Sequence, residues 1–377
     1  MKQKLSVLFI CGWYPSRVLP NNGDFIQRHA EAVSLKHTVT VIHIITDKNN
    51  KKDIDYTSQE INGIKTHIAY LKHSRNPLKK TILFFKAFKV LIQKSGTFDI
   101  VHLNEIFPFG IFSLYLKWFK KKPYIITEHF TNYLSISKPK GVFFQKVISK
   151  YIVKKAHIIC TVTDYMSKNM QNIGFKGNYI TVPNVVDTDL FFPMKKEVLF
   201  LKLLHISNLD NDQKNIDGML RVAKFLDEKL TYFEWDFIGN NGNKYKKHVN
   251  DLDLKNGKIT FSEHQTHSEI VAHLQKATVC VSFSNYETFG IVITEAIACG
   301  TPVIATNTGI ASDFNELDFC KVIPIKNEQL LFETILNHET IFANIDTEKM
   351  YSFVKQKFSK EVICKKFTNL YYKTLKI

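Results

Sequence analysis

The chain has 377 residues, more than one ordinary hydrophobic core accommodates, and this length favours two domains. Hydrophobic residues make up 45% and charged residues 23%, as in soluble globular proteins. No run of 18 or more apolar residues is present, which excludes a membrane-spanning helix. The six cysteines are scattered without CxxC spacing, which indicates buried, reduced thiols in the cytoplasm rather than disulfides or a zinc site.

The net charge of +16 is unevenly distributed. Residues 1–183 hold 28 Lys+Arg and 10 Asp+Glu, a net +18, whereas the remainder holds 23 and 25, a net −2, and the two sum to +16. Such a basic half attracts either nucleic acid or an anionic membrane surface. Lysines alternate with aromatic residues over 79–94, 117–122 and 138–155, a pattern that favours lipid headgroups, although solvated lysine faces over aromatic core faces are the plain alternative. No nucleic-acid recognition motif is present, so we expect a membrane partner and no nucleic acid.

The first half alternates continuously apolar, β-branched runs with helical patterns, which predicts a parallel sheet covered on both faces. The predicted strands are 5–10, 39–45, 100–103, 124–127 and 158–162. The predicted helices are 25–35, 78–93, 109–119, 142–153 and 165–173. A local hairpin or edge strand is expected near 61–70.

Residues 183–193, which read PNVVDTDLFFP between two prolines, predict a linker. The alternation then restarts. The predicted strands are 200–206, 233–238, 279–284 and 303–306. The predicted helices are 215–230, 268–276, 290–299, 328–336 and a final 360–375. The fold class is therefore α/β, with two facing Rossmann-like domains and a ligand cleft at the carboxyl ends of their strands.

The segment between the strand 279–284 and the following helix carries the strongest chemical signal. Gly290 opens the helix, and free N–H groups at a helix start suit a diphosphate. Glu287 stands in the turn, and Glu295 lies along the helix. A carboxylate can accept both hydroxyl hydrogens of a vicinal diol, and a nucleotide-sugar carries a hexose diol and a ribose diol on either side of its diphosphate.

The segment ETFGIVITEAIACGTPVIAT resembles the E-x7-E signature of the retaining glycosyltransferases of family 4, which have the GT-B fold. The resemblance implies that Glu287 contacts the donor hexose and Glu295 the ribose. It also implies that the backbone of Phe289, Gly290 and Ile291 meets the hexose and the diphosphate. The linker is similar to the interdomain segment of that family.

In the family, the first strand of the donor domain is followed by Gly-Arg and later by Lys, which neutralise the leaving diphosphate. Here the sequence reads HISNLDNDQKN, so Lys214 matches the lysine, whereas Ser207 and Asn208 replace Gly and Arg. A solvated surface lysine is the alternative for Lys214. The loss of one cation at Asn208 predicts weaker stabilisation of the leaving group.

In the first half, Asn22, Gly23 and Asp24 occupy the position of a family loop beside acceptor and phosphate. An ordinary loop with Asp24 as a helix N-cap is an equal alternative. His129 follows a strand in ITEHF and resembles the family histidine near the reacting sugar, with a packed core histidine as the alternative. His102, inside an apolar strand, is expected to be structural.

The resemblance implies a retaining, metal-independent hexosyltransferase of cell-envelope polysaccharide synthesis. Residues 1–183, joined by the helix 360–377, form the acceptor-side domain, and residues 184–359 bind the donor. His129, Glu287 and Lys214 are the predicted catalytic residues. The expected donor is a UDP- or GDP-linked sugar, the expected acceptor is a glycan or a lipid-linked acceptor, and no cofactor is expected. No metal site is expected either, because the DxD-like Asp187 and Asp189 lie in the linker. The predicted location is the cytoplasm, peripheral on the inner face of the cytoplasmic membrane.

The sequence leaves three other functions to consider. A GT-B nucleotide-sugar 2-epimerase acts on a similar donor without an acceptor. A non-catalytic, membrane-adsorbing relative is suggested by Asn208. A dinucleotide oxidoreductase requires GxGxxG after the first strand, and CGWYPS does not match that pattern.

Overall fold

The computed structural model describes residues 3–134, 143–196 and 199–377. The chain divides into two compact units: Met1–Val185 with Lys360–Ile377 form the first, and Val186–Ser359 form the second. The division falls inside the predicted linker. In the first unit, the last residues before the division are held by the first helix, since Arg28 donates to the Val185 carbonyl at 3.4 Å.

The first unit contains an eight-stranded sheet of order β3-β4-β2-β1-β5-β6-β7-β8. Its strands are β1 (Ser6–Cys11), β2 (Thr38–Asp47), β3 (Ile54–Ile61), β4 (Ile64–Lys72), β5 (Ile100–Asn104), β6 (Tyr124–Glu128), β7 (Ile159–Thr161) and β8 (Tyr179–Thr181). Every neighbouring pair is parallel except β3–β4, which is the hairpin expected near residues 61–70. Asn62 and Gly63 at its turn both have positive φ, the conformation that tight hairpin turns require.

The second unit contains a six-stranded, all-parallel sheet of order β11-β10-β9-β12-β13-β14. Its strands are β9 (Leu201–Ile206), β10 (Phe233–Ile238), β11 (Gly257–Ser262), β12 (Val279–Ser282), β13 (Val303–Thr306) and β14 (Cys320–Ile323). The predicted α/β class with two Rossmann-like sheets is confirmed.

The helices follow the strands in the expected alternation. They are α1 (Asp24–Ser34), α2 (Pro77–Lys94), α3 (Gly110–Phe119), α4 (Phe143–Lys155), α5 (Asp164–Asn172), α6 (Asn211–Lys214), α7 (Ile216–Asp227), α8 (Lys246–Asp251), α9 (His267–Lys276), α10 (Ile291–Ala298), α11 (Glu328–Leu336), α12 (His338–Ile341), α13 (Thr347–Phe358) and α14 (Lys360–Leu375). Short 3-10 helices lie at Thr131–Tyr133, Gly242–Tyr245 and Gly309–Asp313. The helix predicted over 142–153 begins in the structure at residue 143, and Val142 lies outside the described residues.

Three strands were not predicted: β8, β11 and β14. β8 and β11 are edge strands of their sheets and are only half-buried, so they lack the continuous apolar run that marks a central strand. β14, another edge strand, has only four residues and includes the exposed Lys321. Central strands were predictable because both of their faces are buried, and edge strands were not because only part of each is covered.

The C-terminal helix completes the core of the first unit. α14 packs on α1, and its Phe367 and Tyr371 are fully buried beside the β1 residues Val7 and Phe9. Tyr371 also interacts through its hydroxyl with His102 Nδ1 at 2.7 Å. A helix that follows the second unit in sequence therefore belongs to the first unit.

All six cysteines lie in the described part of the chain, and each is buried with a free thiol. Burial raises the pKa of each thiol, and for Cys160, Cys280, Cys299 and Cys320 the value rises to about 12. The cysteines therefore serve as small core residues and are chemically inert in the folded protein.

Candidate active site

The candidate site of the second unit lies where the order of its strands reverses. β9 pairs with β10 on one side and with β12 on the other, so the connections from this strand pair leave in opposite directions. Doubly wound sheets bind ligands at the carboxyl ends of the strands at such a point. Residues 207–214 follow β9 and residues 283–290 follow β12, so both predicted donor segments converge here.

Lys214 and Glu287 form an ion pair at this point. Their side chains are 15% and 8% exposed. The Glu287 carboxylate also accepts hydrogen bonds from Ser284 Oγ at 2.8 Å and from Gln213 Nε2 at 3.3 Å. Lys214 is therefore not the solvated surface lysine that was its alternative. The structure brings together one cation and one carboxylate that the sequence assigned separately to the diphosphate and to the hexose.

Two loops are tied to each other to hold this pair. The Asn285 backbone N–H donates to the Gln213 carbonyl at 2.7 Å, and the Asn285 side chain donates to the Asp212 carbonyl at 2.9 Å. Gln213 in turn donates to the Tyr286 carbonyl at 3.4 Å. These crosslinks fix the loop after β9 against the loop after β12. Sequence reasoning missed Gln213, Ser284 and Asn285, although the place of Ser284 and Asn285 just after a buried strand was a usable signal.

The start of α10 presents backbone N–H groups at the same edge of the sheet. Gly290 is the N-cap, with φ 83°, and Ile291 is the first helical residue. Both are half-buried, so the first turn is accessible from one side. The first N–H groups of a helix have no partner within the helix, and the helix dipole adds partial positive charge there. The predicted placement of Gly290 at a helix start is observed, one residue before the helix proper.

Gly309 fixes the carbonyl that precedes this helix start. The Phe289 carbonyl accepts the Ile310 N–H at 2.8 Å. A Cβ at Gly309 would lie 2.5 Å from the Phe289 carbonyl oxygen and 2.8 Å from Glu287 Cβ, and Gly309 has φ +54°. Only glycine allows this close approach. The Phe289 side chain, meanwhile, is buried against Phe358 at a ring-centroid distance of 6.1 Å.

Glu295 lies within α10, eight positions after Glu287, and is 4% exposed. Its negative charge raises the pKa of the neighbouring Cys280 and Cys299 thiols, in addition to their burial. Glu295 is thus more deeply placed than Glu287 in this structure. Its contact with a ribose stays a prediction.

Ser207 is held by its neighbours directly after β9. Its hydroxyl oxygen accepts the Leu209 N–H at 2.9 Å and interacts with His205 Nε2 at 2.8 Å. Burial lowers the pKa of His205 to about 4, so the ring is neutral. His205 Nδ1 lies 2.8 Å from the Val281 carbonyl of β12, which assigns the ring proton to Nδ1. His205 therefore ties the ends of β9 and β12 together.

Asn208 is exposed, and its side chain contacts its own loop. Its side-chain oxygen accepts the Asp210 N–H at 3.3 Å, and its carbonyl accepts from Asn241 at 3.1 Å. The following Leu209 has φ 54° and is fully buried, which turns Asn208 outward. The position that carries a cation in the family is thus open to solvent and uncharged here.

The loop after β1 in the first unit ends at Gly23, which is the N-cap of α1. Asp24 is therefore the first helical residue, and the alternative in which Asp24 is the N-cap is wrong. Asp24 forms an ion pair with Arg28 at 3.6 Å. A Cβ at Gly23 would lie 2.6 Å from the Trp13 backbone carbon, and φ is +79°. Asn22, half-buried, donates its N–H to the Leu19 carbonyl at 3.3 Å. Glycine at this turn has a structural reason that does not depend on a ligand.

His129 is packed directly after β6. Its ring lies 4.6 Å from the Phe25 ring and 5.6 Å from the His29 ring, centroid to centroid. Burial lowers the pKa of His129 well below its usual range, so it is neutral. Its Nε2 atom is buried and has no hydrogen-bond partner among the described residues. A buried polar atom without a partner costs about 1–3 kcal/mol, which makes Nε2 a candidate for a ligand or water contact. His102, by contrast, has a partner at each ring nitrogen.

Two buried carboxyl groups, Glu128 and Glu105, lie at the ends of β6 and β5. Glu128 accepts backbone hydrogen bonds from Ile106, His129 and Phe130 at 2.8–2.9 Å. Burial nevertheless raises the pKa of Glu128 to about 7. Glu105 follows β5 with φ 83°, and its carboxylate lies where a Gly12 Cβ would be, 1.6 Å away. Burial, and then the charge of Glu128, raises the pKa of Glu105 well above its usual range.

No cluster of three or more His, Cys, Asp or Glu residues that could hold a metal ion occurs in residues 3–134, 143–196 and 199–377. In the linker, the Asp189 N–H donates to the Asp187 carboxylate at 3.3 Å, a local turn contact.

Within the described chain, no helix combines the length and apolar character needed to cross a membrane.

Two family models match the chain. The model for glycosyl transferases group 1 matches residues 192–337, and the model for glycosyltransferase family 4 matches residues 27–190. The first spans the site with Lys214 and Glu287, and the second spans His129. An uncharacterised glycosyltransferase of Methanocaldococcus jannaschii is 27% identical over 79% of this chain and 85% of its own length. The alpha-monoglucosyldiacylglycerol synthase of Streptococcus pneumoniae is 25% identical over 74% of this chain and 68% of its own.

Solved structures with the same fold cover nearly the whole chain. Sucrose-phosphate synthase from Thermosynechococcus elongatus superimposes with a TM-score of 0.79, covering 98% of this chain and 99% of that chain at 18% identity. Anabaena HepE in complex with UDP and glucose superimposes with a TM-score of 0.72, covering 97% and 99% at 14% identity. At these identities the likeness concerns the fold.

Proposed function

The chain belongs to the GT-B glycosyltransferases of group 1 and family 4, and on this premise we propose that it moves a hexose from a nucleotide-sugar to a glycan or lipid-linked acceptor. The proposed transfer retains the anomeric configuration and needs no metal ion. The ion pair between Lys214 and Glu287, at the carboxyl ends of β9 and β12, is the observation that carries this proposal. A cation and a carboxylate at that point match the two demands of a nucleotide-sugar: a charged diphosphate and a sugar with hydroxyl groups.

The diphosphate would take the cationic end of this arrangement. Lys214 supplies a full positive charge, and the start of α10 at Gly290 and Ile291 supplies N–H donors and the positive end of a helix dipole. Together they offer the charge stabilisation for which other glycosyltransferases use a divalent cation. Asn208 contributes no charge, so Lys214 carries more of this task than it would beside an arginine.

Glu287 would bind the hexose once the donor is present. In the structure, its carboxylate is fixed by Lys214, Ser284 and Gln213, so its orientation is set before the sugar arrives. A diphosphate drawn to Lys214 frees acceptor capacity on Glu287 for sugar hydroxyl groups. Glu295, further along α10, is proposed to bind the ribose.

Transfer would proceed on one face of the sugar. The bond from the hexose anomeric carbon to the diphosphate oxygen breaks, and a bond from that carbon to the acceptor oxygen forms. The acceptor hydroxyl proton passes to the leaving diphosphate oxygen, so no protein base is required. His129, which is neutral and whose Nε2 atom has no partner among the residues that the structure describes, is proposed to bind a sugar hydroxyl group.

A UDP- or GDP-linked sugar is the proposed donor class, and the UDP-glucose complex of HepE supports the first. The similarity to an alpha-monoglucosyldiacylglycerol synthase supports a lipid acceptor. The net +18 of residues 1–183 supports work at an anionic membrane surface. We therefore place the enzyme in the cytoplasm, peripheral on the inner face of the cytoplasmic membrane, in cell-envelope polysaccharide synthesis.

The proposal is tested by measuring how labelled UDP- and GDP-sugars are consumed, with and without chelator, and by reading the anomeric configuration of the product by NMR. Sugar transfer or slow donor hydrolysis that survives chelation, with retained configuration, is expected. Activity that disappears on chelation would contradict the metal-free step. A free 2-epimerised sugar as the product, formed equally well without acceptor, would instead identify an epimerase.

A further inference from the structure

Three helices form one continuous layer on one face of the first sheet. β1 lies between β2 and β5, so the right-handed connections after β4, β5 and β6 lie on the face opposite to α1. The Phe88 ring of α2 stacks on the Phe112 ring of α3, with 3.8 Å between the ring centroids. The ring centroids of Trp118 in α3 and Tyr151 in α4 are 6.1 Å apart. We call the outer surface of α2, α3 and α4 the basic-aromatic face.

The basic-aromatic face exposes large apolar side chains. Of the eighteen large hydrophobic residues that are exposed in the described chain, nine belong to α2, α3 and α4. They are Leu78, Ile82, Phe85, Tyr115, Trp118, Phe119, Phe144, Val147 and Tyr151. Phe119 is 71% exposed, Phe144 69% and Trp118 52%. An ordinary amphipathic helix buries its aromatic residues against the sheet, whereas these helices carry aromatic residues on the solvent side as well.

The same face carries positive charge without any compensating carboxylate on its helices. Residues 77–94, 110–122 and 143–155 contain thirteen lysines and no Asp or Glu. Most of these lysines are exposed, among them Lys86, Lys89, Lys120 and Lys121. Lys79 pairs with a carboxylate from outside the face, Asp53, at 3.1 Å. Lys138 and Lys140 of the third predicted basic segment lie outside the described residues, and nothing here depends on them.

We propose that the basic-aromatic face is the surface by which this protein binds an anionic phospholipid bilayer, with its aromatic rings inserted at the headgroup level and its lysines on the lipid phosphates. This inference names the contact surface for the membrane location given under the proposed function. Aromatic rings favour the membrane–water interface, and lysine side chains extend past an apolar contact to reach phosphate. A protein partner fits less well, because the centre of a protein interface is depleted in lysine.

The position of the face in the sheet is compatible with access to the site in the first unit. α2, α3 and α4 cover a face of the sheet, whereas His129 follows the carboxyl end of β6. A bilayer against the basic-aromatic face therefore leaves that carboxyl edge uncovered. An acceptor that rises from the same bilayer could reach the edge without detachment of the protein.

The proposal is tested with the full chain and vesicles of phosphatidylcholine alone or mixed with phosphatidylglycerol, by co-sedimentation. Two double variants target the face: Lys120→Glu with Lys121→Glu, and Trp118→Ser with Phe119→Ser. Each is matched in the second unit by exposed residues of the same kind: Lys246→Glu with Lys247→Glu, and Phe225→Ser with Tyr232→Ser. We expect each face variant to lower the affinity for the anionic vesicles about tenfold or more, and each control to change it less than about twofold.

Tryptophan fluorescence gives a second readout. Of the three tryptophans, Trp235 is fully buried, Trp13 is partly buried and Trp118 is exposed. Insertion should shift the emission of the protein to the blue, and Trp118→Phe should remove that shift while binding persists. Equal binding by the face variants and by their controls would overturn the proposal. If single-stranded DNA at the same phosphate concentration displaced the protein from the vesicles, the face would be assigned to nucleic acid instead.

Donor chemistry separates this proposal from the proposed function. Hydrolysis of a soluble nucleotide-sugar without vesicles should be unchanged in both face variants, because the face contributes no residue to the site with Lys214 and Glu287. Loss of vesicle binding with intact hydrolysis supports the face. Absence of both hydrolysis and sugar transfer in every protein, together with selective loss of vesicle binding, would refute the transferase proposal and leave the face in place.

Discussion

The two units differ in electrostatics at the carboxyl ends of their strands. At the strand reversal of the second sheet, Lys214 and Glu287 are both partnered, and each is fixed by hydrogen bonds between loops. In the first unit, His129 is neutral, its Nε2 atom has no hydrogen-bond partner within the described part of the chain, and burial raises the pKa of Glu128 and Glu105. A charged, preorganised site suits a diphosphate, whereas a neutral, polar one suits hydroxyl groups. The same fold can thus divide the two halves of a transfer reaction between its two sheets.

The comparison is tested most strongly at Lys214. Lys214→Met removes the only charge assigned to the diphosphate and leaves the buried Glu287 carboxylate without its cation. We expect kcat/KM for a nucleotide-sugar to fall about 10²–10³-fold, the range for loss of one preorganised electrostatic group. Lys229→Met, at an exposed lysine of the same unit, is the control and should be neutral. If both variants keep full activity, the second unit does not work by charge stabilisation at this site.

The neutral character of the buried groups around His129 is tested by pH. Burial raises the pKa of Glu128 from 4.5 to about 7, so the folded state binds a proton that the unfolded chain releases above pH 4.5. Stability from this group is complete below pH 4.5 and is lost as pH rises through 7. At about 1.4 kcal/mol per pH unit, the loss is about 3 kcal/mol.

The measurement is the free energy of unfolding of Glu105→Gln minus that of the double variant Glu105→Gln with Glu128→Gln, from pH 4 to pH 8.5, because the charge of Glu128 raises the pKa of Glu105 and residue 105 must not titrate. The difference should decline by about 3 kcal/mol across this window, since glutamine does not ionise. The buried His29, His43 and His205, whose pKa values fall to about 4, destabilise both proteins below pH 6.5 and cancel in the difference. A flat difference would mean that the three backbone amides hold Glu128 ionised, and the buried groups around His129 would then include a charge.

The preorganisation of the second unit is tested at Gly309. Gly309→Ala forces a Cβ to within 2.5 Å of the Phe289 carbonyl at a positive φ. Gly63→Ala is the matched control, because its φ is +77° and nothing lies within 4 Å of the added Cβ. We expect the control to cost about 1 kcal/mol of stability, from backbone conformation alone, and Gly309→Ala to cost about 1–3 kcal/mol more. Gly309→Ala should also weaken binding of nucleoside diphosphate, measured by calorimetry, while Gly63→Ala should not.

What the sequence predicted and what it missed follow the same division. The helix start at Gly290 and the positions of Glu287 and Lys214 at the ends of β12 and β9 were predictable because they belong to a recognisable motif, whereas their contacts with a donor stay predictions. Their mutual pairing was not predictable, because it depends on Gln213 and Asn285. These two residues form hydrogen bonds between loops that lie 73 or 74 positions apart in the sequence. The enclosure of His129 by Phe25 and His29 was hidden for the same reason: long-range packing leaves no local pattern.

The burial of the aromatic residues in α2, α3 and α4 was likewise not predictable from the sequence. The net charge of the first half was evident from composition, but the sequence left open whether the aromatic residues of α2, α3 and α4 lie inside or outside. Phe88 and Phe112 lie inside, whereas Phe119 and Trp118 lie outside. In a single helix such as α3, the buried and the exposed aromatic residues both fit a helical period. Only the neighbouring elements determine which of these residues are buried.

The smallest expected effect concerns the uncharged position at Asn208. Asn208 is exposed directly after β9, and its side chain contacts its own loop, so an arginine can replace it without disturbing the core. If the second unit works by charge, Asn208→Arg adds a second cation beside Lys214 and should raise kcat/KM about tenfold, the value of one added charge-assisted hydrogen bond. Asn208→Gln, similar in length but uncharged, is the control and should be neutral. Asn208→Arg should also be combined with Lys214→Met. If the arginine raises kcat/KM beside Lys214 but not beside the methionine, the two cations act on one group, as expected for a shared diphosphate. A decrease in activity would mean that the site already holds the leaving group fully and that a second charge binds the departing nucleotide too tightly.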